Sequence, residues 1–426
     1  MDKKIKSKII SRKFLFISRW GESLDIAIAT MQEGNEVKLY IEDKASKEIG
    51  YGFVKKVQDW KKHIDWADIL IFDYTGNGKI CQELRASGKL VFGGTEYTDL
   101  LELDRNFGQQ ELKRHKINIL PFKEFETFKE AIKYVEANPN AYVIKPSGET
   151  QELKQLLFVG NDDSGQDVVR VLKAYEKSWG DDFGTFQLQR KVKGVEISVS
   201  AYFNGENFLT PINITFEHKK LFPKELGVST GEMGSSMFWA KDSPIFDKTL
   251  KKFEPILAKN NFFGHIDINC IVNGNGIYPL EFTSRFGFPQ IFIQRSGVLE
   301  PFGEMLYKVA AGKKFQIQVK KGFQVGAFVV VPPFPYEDKK TFELFSKDAV
   351  VILKKDSTEG IHPMHLKNGN TGIALLVTGT GLTMKDAQKM MYNRINTVII
   401  NNCYYRTDIG DRWFEDSDKL WSWGLL

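Results

Sequence analysis

Two acidic residues late in the chain have the setting of a cation site. Asp267 lies in an apolar run, 264–272, and Glu281 in another, 276–282, with Asn273-Gly-Asn-Gly276 between them, a turn sequence that closes a hairpin. Side chains alternate along a strand, so Asp267 and Asn269 share one face with Ile271, and Glu281 shares one with Thr283. Opposed across the hairpin, the two carboxylates come close, and they repel unless a cation lies between them. Hard oxygen donors of this kind suit Mg²⁺, which fills the rest of its shell with waters and substrate phosphate oxygens. Arg285 follows at once and can take a phosphate oxygen bidentately. The plain alternative is a solvated hairpin with surface acids. Leu280 and Phe282 around Glu281, and the run Arg285-Phe-Gly-Phe-Pro289, argue against it.

Two further groups are weaker when taken singly. Glu217-His-Lys-Lys220 is followed by Thr230-Gly-Glu-Met-Gly234. The basic cluster suits an anion, and the glycines let backbone N–H groups approach a ligand. A histidine beside lysines is more often a surface residue than a catalyst. Lys145 ends a short apolar strand, a place from which a point charge reaches a nucleotide phosphate, although strand ends often carry lysines. Glu196, after Lys193-Gly194, is placed to accept from ribose hydroxyls or to be a plain surface acid.

The elements that must position these residues are legible as hydrophobic patterns. Residues 14–17, 37–41, 68–72 and 90–92 read as strands, with helical spacing over 23–32 and 80–86 between them and Gly34 as a C-cap. Such alternation predicts a doubly wound parallel sheet over about the first 115 residues. Residues 142–145, 187–189, 197–203, 209–214, 264–272, 276–282, 323–331 and 374–377 read as further strands. Asn204-Gly205 signals a hairpin turn between two of them. Residues 245–260 read as one amphipathic helix, and Thr383 caps another that runs to about Asn396.

Composition bounds the class. The chain has 426 residues, 42% hydrophobic and 27% charged, which suits a soluble protein of two to four domains. The longest apolar run, at 327–331, is far short of the roughly 20 residues that span a bilayer. The basic start has no signal-peptide core after it, so the expected location is the cytoplasm. Cys81, Cys270 and Cys403 are too sparse for a disulfide framework or a zinc site. A net charge of +5, spread along the chain, suits a nucleotide rather than a nucleic acid.

Taken in order, four stretches resemble the ATP-grasp ligases, and among them the phosphoribosylamine–glycine ligases. They are Gly194-Val-Glu-Ile-Ser-Val-Ser-Ala-Tyr-Phe-Asn-Gly205, the Glu217 and Thr230 segments, Leu280-Glu-Phe-Thr-Ser-Arg-Phe-Gly-Phe-Pro289, and Tyr404-Tyr-Arg-Thr-Asp-Ile-Gly410. The resemblance implies an α/β and α+β multidomain chain with the ATP-grasp fold. Residues 1–115 would be the N-terminal doubly wound domain, 116–190 the small ATP-grasp lobe, 191–318 the large lobe with the metal site, and 319–426 a β-rich C-terminal domain. It implies an ADP-forming carboxylate–amine ligase working through an acyl phosphate, with ATP and Mg²⁺ or Mn²⁺ as cofactors. Its partners would be small-molecule carboxylate and amine substrates, with neither nucleic acid nor membrane, in a monomer or homodimer. By position, Asp267, Glu281 and Thr283 would bind metal, and Arg105, Lys145 and Lys154 would meet phosphates. Gln189, Arg190 and Val192 would line the adenine hinge, and Glu196 the ribose. Arg285, His218 and Lys219 would face the reacting groups.

The departures from that family are specific. Thr283 replaces an asparagine at the second metal position, and Arg105 replaces a lysine. The glycine-rich lid is replaced by Gly148-Glu-Thr-Gln-Glu-Leu-Lys-Gln155. The N-terminal phosphate loop becomes Ser18-Arg-Trp-Gly-Glu-Ser23, with one glycine, and Trp20 hinders backbone approach to a phosphate. Asp73-Tyr-Thr-Gly76 and Thr371-Gly-Ile373 replace two more family motifs. Three of these changes fall on the amine side, which predicts that nucleotide chemistry is kept and the acceptor is altered. The alternative is a non-catalytic nucleotide-binding or scaffold relative on the same fold.

Overall fold

The computed structural model describes residues 11–147, 156–346, 352–354, 357–364 and 372–426. β1 (Lys13–Ser18) is buried from Phe14 onward, and α1 (Leu24–Gln32) follows it. The helix is released at Gly34, whose φ of +94° suits a residue without Cβ. β2 (Glu36–Ile41), β3 (Lys55–Lys56) and β4 (Ile69–Phe72) precede α2 (Gly78–Ala86) and β5 (Val91–Phe92). These strands form a parallel sheet in the order β3-β2-β1-β4-β5. The order reverses between β1 and β4, and in such sheets the crevice at the carboxyl ends of those two strands is where ligands sit.

α3 (Glu96–Leu103) begins with a capping box between Thr95 and Thr98, and α4 (Arg105–Arg114) is capped by Asp104. They lead to a small antiparallel sheet. β6 (Phe122–Phe125), α5 (Phe128–Ala137), β7 (Tyr142–Pro146), β8 (Phe158–Val159), α6 (Gln166–Trp179) and β9 (Phe186–Arg190) give the strand order β6-β9-β7-β8. Phe125, Ile144, Phe186 and Leu188 pack with Ala131, Val168 and Leu172 of α5 and α6. Alternation puts Lys145 with Gln187 and Gln189 on the opposite face.

A larger sheet follows. β10 (Val195–Asn204), β11 (Ile212–Phe222) and β12 (Leu226–Ala240) lead through α7 (Pro244–Lys248) and α8 (Glu254–Lys259) to the hairpin β13 (Phe263–Asn273) and β14 (Gly276–Thr283). Then come α9 (Gln290–Gly297), α10 (Phe302–Ala310), β15 (Phe323–Val330), α11 (Lys339–Phe345), β16 (Ile352–Leu353) and β17 (Ile361–Pro363). β18 (Ile373–Gly381), α12 (Met384–Ile395), β19 (Val398–Ile399) and α13 (Arg412–Ser422) complete the described elements. Eight strands join in the order β14-β13-β10-β11-β12-β15-β18-β17. Of the strands in the 319–426 segment, β15, β17 and β18 thus extend the same sheet that carries the hairpin, whereas β16 and β19 pair as a small sheet of their own. Helices α9 and α10 lie between this sheet and the N-terminal one, with Phe292, Met305 and Leu306 in one core with Phe14, Phe16 and Leu376.

Three expectations needed correction. The helix expected over 245–260 is broken into α7, a 3₁₀ turn at Leu250–Phe253, and α8. Thr249 leaves helical geometry, and Pro255, which lacks an N–H, fits only at the start of a new helix. The strand expected at 209–214 starts at Ile212 and runs to Phe222, because Pro211 has no donor for the ladder. Gly205 does turn the chain, with φ +89°, but β10 and β11 pair only from Asn213 onward, so the connection is longer than a two-residue hairpin. No helix among the described residues is long and apolar enough to cross a membrane.

Candidate active site

A cleft of about 360 Å³ opens where the carboxyl ends of β1 and β4 face the large sheet. Arg19 and Trp20 after β1, Tyr74 and Thr75 after β4, and Glu102 of α3 line its N-terminal side. Glu217, Lys219, Glu232, Asp267, Asn269, Glu281, Thr283 and Arg285 line the other.

The β13–β14 hairpin supplies the acids, in a register other than the expected one. Asp267 faces Thr283 and Asn269 faces Glu281. The two carboxylates therefore share the cleft face of the ladder but do not oppose each other directly; each meets a neutral oxygen-bearing side chain. Asp267 is buried, and neither its Oδ2 nor Asn269 Oδ1 has a hydrogen-bond partner. Burial, with Glu217 and Glu281 nearby, pushes the Asp267 carboxyl well above its usual range. Glu281 lies 4.0 Å from the Arg105 guanidinium. Among the described residues no group of three or more His, Cys, Asp or Glu is arranged to hold a metal ion by itself. Two acids with two orphaned oxygens, open to a cleft, do fit a hard cation that completes its shell with water and phosphate.

β11 supplies the central cation. Lys219 Nζ lies 2.8 Å from Glu196 Oε1 and 3.0 Å from Glu217 Oε2. Burial alone would lower this ammonium, but Glu196, Glu217 and Glu281 together hold it well above the usual lysine range. Glu196 answers in kind: burial would raise it, and Lys219 brings it below the ordinary value. Glu217 Oε1 also accepts from Gln290 Nε2 at 2.7 Å and from Asn269 Nδ2 at 3.3 Å. Arg285 Nε donates to Glu102 Oε1 at 3.0 Å. Burial opposes its charge, yet Glu102, Glu22 and Asp73 keep the guanidinium above its usual value.

Lys145, on the free face of the small sheet, is buried. Desolvation, reinforced by Arg105, lowers its ammonium to about 7, against the pull of Glu281 and Glu196. It belongs electrostatically to the same site. Gln189 shares its face and is buried, Arg190 points to the other side with its side chain exposed, and Val192 is half-buried in the link to β10. Lys154 lies outside the described residues.

His218 is the clear correction. It is fully buried and does not line the cleft. Its Nε2 accepts from Gly410 N–H at 3.0 Å, and Arg406 and Glu225 stand at Nδ1. The reason is elementary: neighbours on a strand face opposite ways, so β11 cannot send both His218 and Lys219 into the cleft. Glu217 therefore accompanies Lys219. Glu217, Asn269, Glu232, Glu102 and Gln290 are among the cleft residues to which the sequence reading gave no role. The signal for Glu217 was present, as an acid two positions from a lysine in a strand. Glu102 had none, since its proximity to Arg285 is created by tertiary packing of α3. Gly231 does line the cleft. Gly234 serves packing instead, for an added Cβ would meet Gly326 O at 2.4 Å.

The comparisons agree with this architecture. Residues 103–291 match the phosphoribosylglycinamide synthetase ATP-grasp (A) domain. The chain is 25% identical over 354 residues to phosphoribosylamine–glycine ligase of Streptococcus pneumoniae, covering 78% of this chain and 81% of that one. It is 25% identical over 346 residues to the enzyme of the same name from Caldanaerobacter subterraneus, covering 78% and 81%. The crystal structure of phosphoribosylamine–glycine ligase from Thermotoga maritima superposes with a TM-score of 0.66 at 19% identity, over 93% of this chain and all of that one. Biotin carboxylase from Campylobacter jejuni superposes at 0.61 with 12% identity, over 96% of each chain. The protein has the ATP-grasp fold, and its residues 103–291 are similar to the ATP-grasp domain of the phosphoribosylglycinamide synthetases.

Proposed function

We propose that the chain is an ADP-forming ligase that joins a small carboxylate, an amino acid such as glycine, to an amine. A carboxylate oxygen attacks the γ-phosphorus of ATP and ADP leaves. The amine nitrogen then attacks the acyl carbon, the bond to phosphate breaks with its electron pair, and the ammonium proton is released. In this reading Asp267 and Glu281, with Asn269 or Thr283, hold Mg²⁺. When bound, the ion would offset the charge of the transferring phosphoryl group. Lys145 and Arg105 meet phosphates, Glu196 the ribose, and Gln189 with the main chain through Arg190 and Val192 the adenine. Arg285 is the donor toward the acyl phosphate. Lys219, held between Glu196 and Glu217, is a positioning residue for the two acids.

The observation that carries this reading is the pair of orphaned oxygens, Asp267 Oδ2 and Asn269 Oδ1, set beside Glu281 in the cleft. Buried polar atoms without partners are uncommon and call for a ligand. The test supplies ATP, Mg²⁺, a panel of amino acids and hydroxylamine. ADP release with a matching hydroxamate for one carboxylate is the expected result. Absence of both under every carboxylate overturns the ligase reading, and Mg-ATP binding without either favours the non-catalytic alternative.

A further inference from the structure

We infer that Glu232 is the proton acceptor for the attacking amine in the second half-reaction. This rests on the ligase reading above and assigns a role inside the same cleft. An amine reaches the protein at neutral pH as an ammonium, and it cannot attack the acyl carbon until a base has freed its lone pair. Five carboxylates line the cleft: Glu102, Glu217, Glu232, Asp267 and Glu281. Asp267 and Glu281 belong to the proposed cation site. Glu102 is held by Arg285 at 3.0 Å, and Glu217 by Lys219 at 3.0 Å. Glu232 is buried, and its Oε1 accepts from Ser235 Oγ at 2.5 Å. Among the described residues no lysine, arginine or histidine lies within ion-pair distance of it.

The local fold presents this acid. His218 pairs with Gly234 and Lys220 with Ser229, so four residues of β12, 230–233, stand against Lys219 alone. A bulge of this kind bends the strand and re-aims its side chains. Thr230 is tied down by its hydroxyl, which donates to Lys219 O at 2.8 Å, and Met233 is buried in the core. Gly231 and Glu232 between them face the cleft. Burial, with Glu217 nearby, pushes the Glu232 carboxyl well above its usual range, against Ser235, Lys219 and Gln290. Without substrate it therefore keeps a proton. An incoming ammonium supplies the missing counter-charge and discharges that proton to solvent, which leaves a carboxylate of high proton affinity beside the nitrogen. One N–H proton then passes to a Glu232 oxygen. The freed lone pair bonds to the acyl carbon, the bond from that carbon to the phosphate oxygen breaks with its electron pair, and the second nitrogen proton leaves on the phosphate. Glu232 returns its proton to water as the product departs.

The test uses the full-length protein with ATP, Mg²⁺ and the carboxylate that yields hydroxamate, and compares two small nucleophiles at pH 7. Hydroxylamine is largely unprotonated there and needs no base, whereas hydrazine is largely protonated and needs one. The wild type is expected to form both hydroxamate and hydrazide. Glu232→Gln is expected to slow hydrazide formation at least ten-fold and hydroxamate formation less than two-fold. At pH 9, where hydrazine is unprotonated, the variant should return to within three-fold of the wild type. Hydrazide formation that survives the substitution at pH 7, a slow step that pH 9 does not rescue, or equal loss of both products with an unchanged circular dichroism spectrum overturns the inference. If the spectrum changes, Glu232→Ala takes its place in the same comparison. A wild type that forms hydroxamate but no hydrazide at pH 7 loses this inference alone, whereas one that forms neither loses the ligase reading.

Discussion

Lys145 is the residue whose charge state the fold disturbs in the most measurable way. Burial lowers its ammonium to about 7, so between that pH and the ordinary lysine range the folded protein binds fewer protons than the unfolded chain. The cost of the buried charge is complete below pH 7 and fades as pH rises. Lys145→Met should therefore stabilise the nucleotide-free protein below pH 7, with the gain shrinking steadily toward pH 10, as read by urea unfolding. If Lys145 meets a phosphate, binding of Mg-ATP at pH 8 should take up protons, seen as a dependence of calorimetric heat on buffer ionisation enthalpy; no uptake would place the lysine elsewhere. Glu281→Gln should lower ligation on the order of 100-fold with an unchanged circular dichroism spectrum, and retained activity would mean that the cation sits elsewhere. Asp267, Glu281 and Arg285 were legible because acids and an arginine in an apolar hairpin have few structural uses. Their register was not, since a bulge between Asn269 and Cys270 shifts the later pairs of the ladder and no sequence pattern announces it.

At the scale of the element, β11 sorts its residues by parity. Glu217 and Lys219 go to the cleft, and His218 goes to a buried knot with Arg406, Glu225 and Gly410. Arg406 Nη2 also reaches Asp408 and Glu225 at 2.8 Å each, and Nη1 donates to Lys220 O at 2.9 Å. The Tyr404–Gly410 motif is thus a fastening for the β11–β12 corner. Arg406→Met would remove the hydrogen bonds to Asp408, Glu225 and Lys220 O, and a loss of about 1–3 kcal/mol in unfolding free energy is expected, limited by the exposure of Glu225. His218→Asn should cost about 1–3 kcal/mol and leave the KM for ATP within two-fold; a collapse of kcat with unchanged stability would return His218 to the reacting groups. Element types were readable from periodicity. Parity within β11 becomes readable once the strand is extended past residue 214; His218 was placed at the reacting groups by the family resemblance alone, without that parity.

Over the whole molecule, one sheet runs from β14 to β17 and ties the hairpin to the C-terminal strands through the β12–β15 and β15–β18 ladders. The sequence reading marked β10, β11, β13, β14, β15 and β18 but neither β12 nor β17, and the junction itself was not legible, because pairing partners nearly 90 residues apart leave no local trace. Removing residues 319–426 should expose the β12 edge and abolish nucleotide binding, which a fluorescent ATP analogue would report; a soluble truncated chain that still binds would argue against this dependence. The cleft also gathers its two halves from separate places. On the proposed reading, the groups that activate the carboxylate come from α4, β7, β9 and the hairpin sheet, and those facing the body of the acceptor from two short loops, after β1 and after β4. Such a division makes the protein modular in its chemistry: exchanging only residues 18–23 and 73–76 with those of a relative should redirect which nucleophile is accepted, while the first half-reaction continues at its native pace.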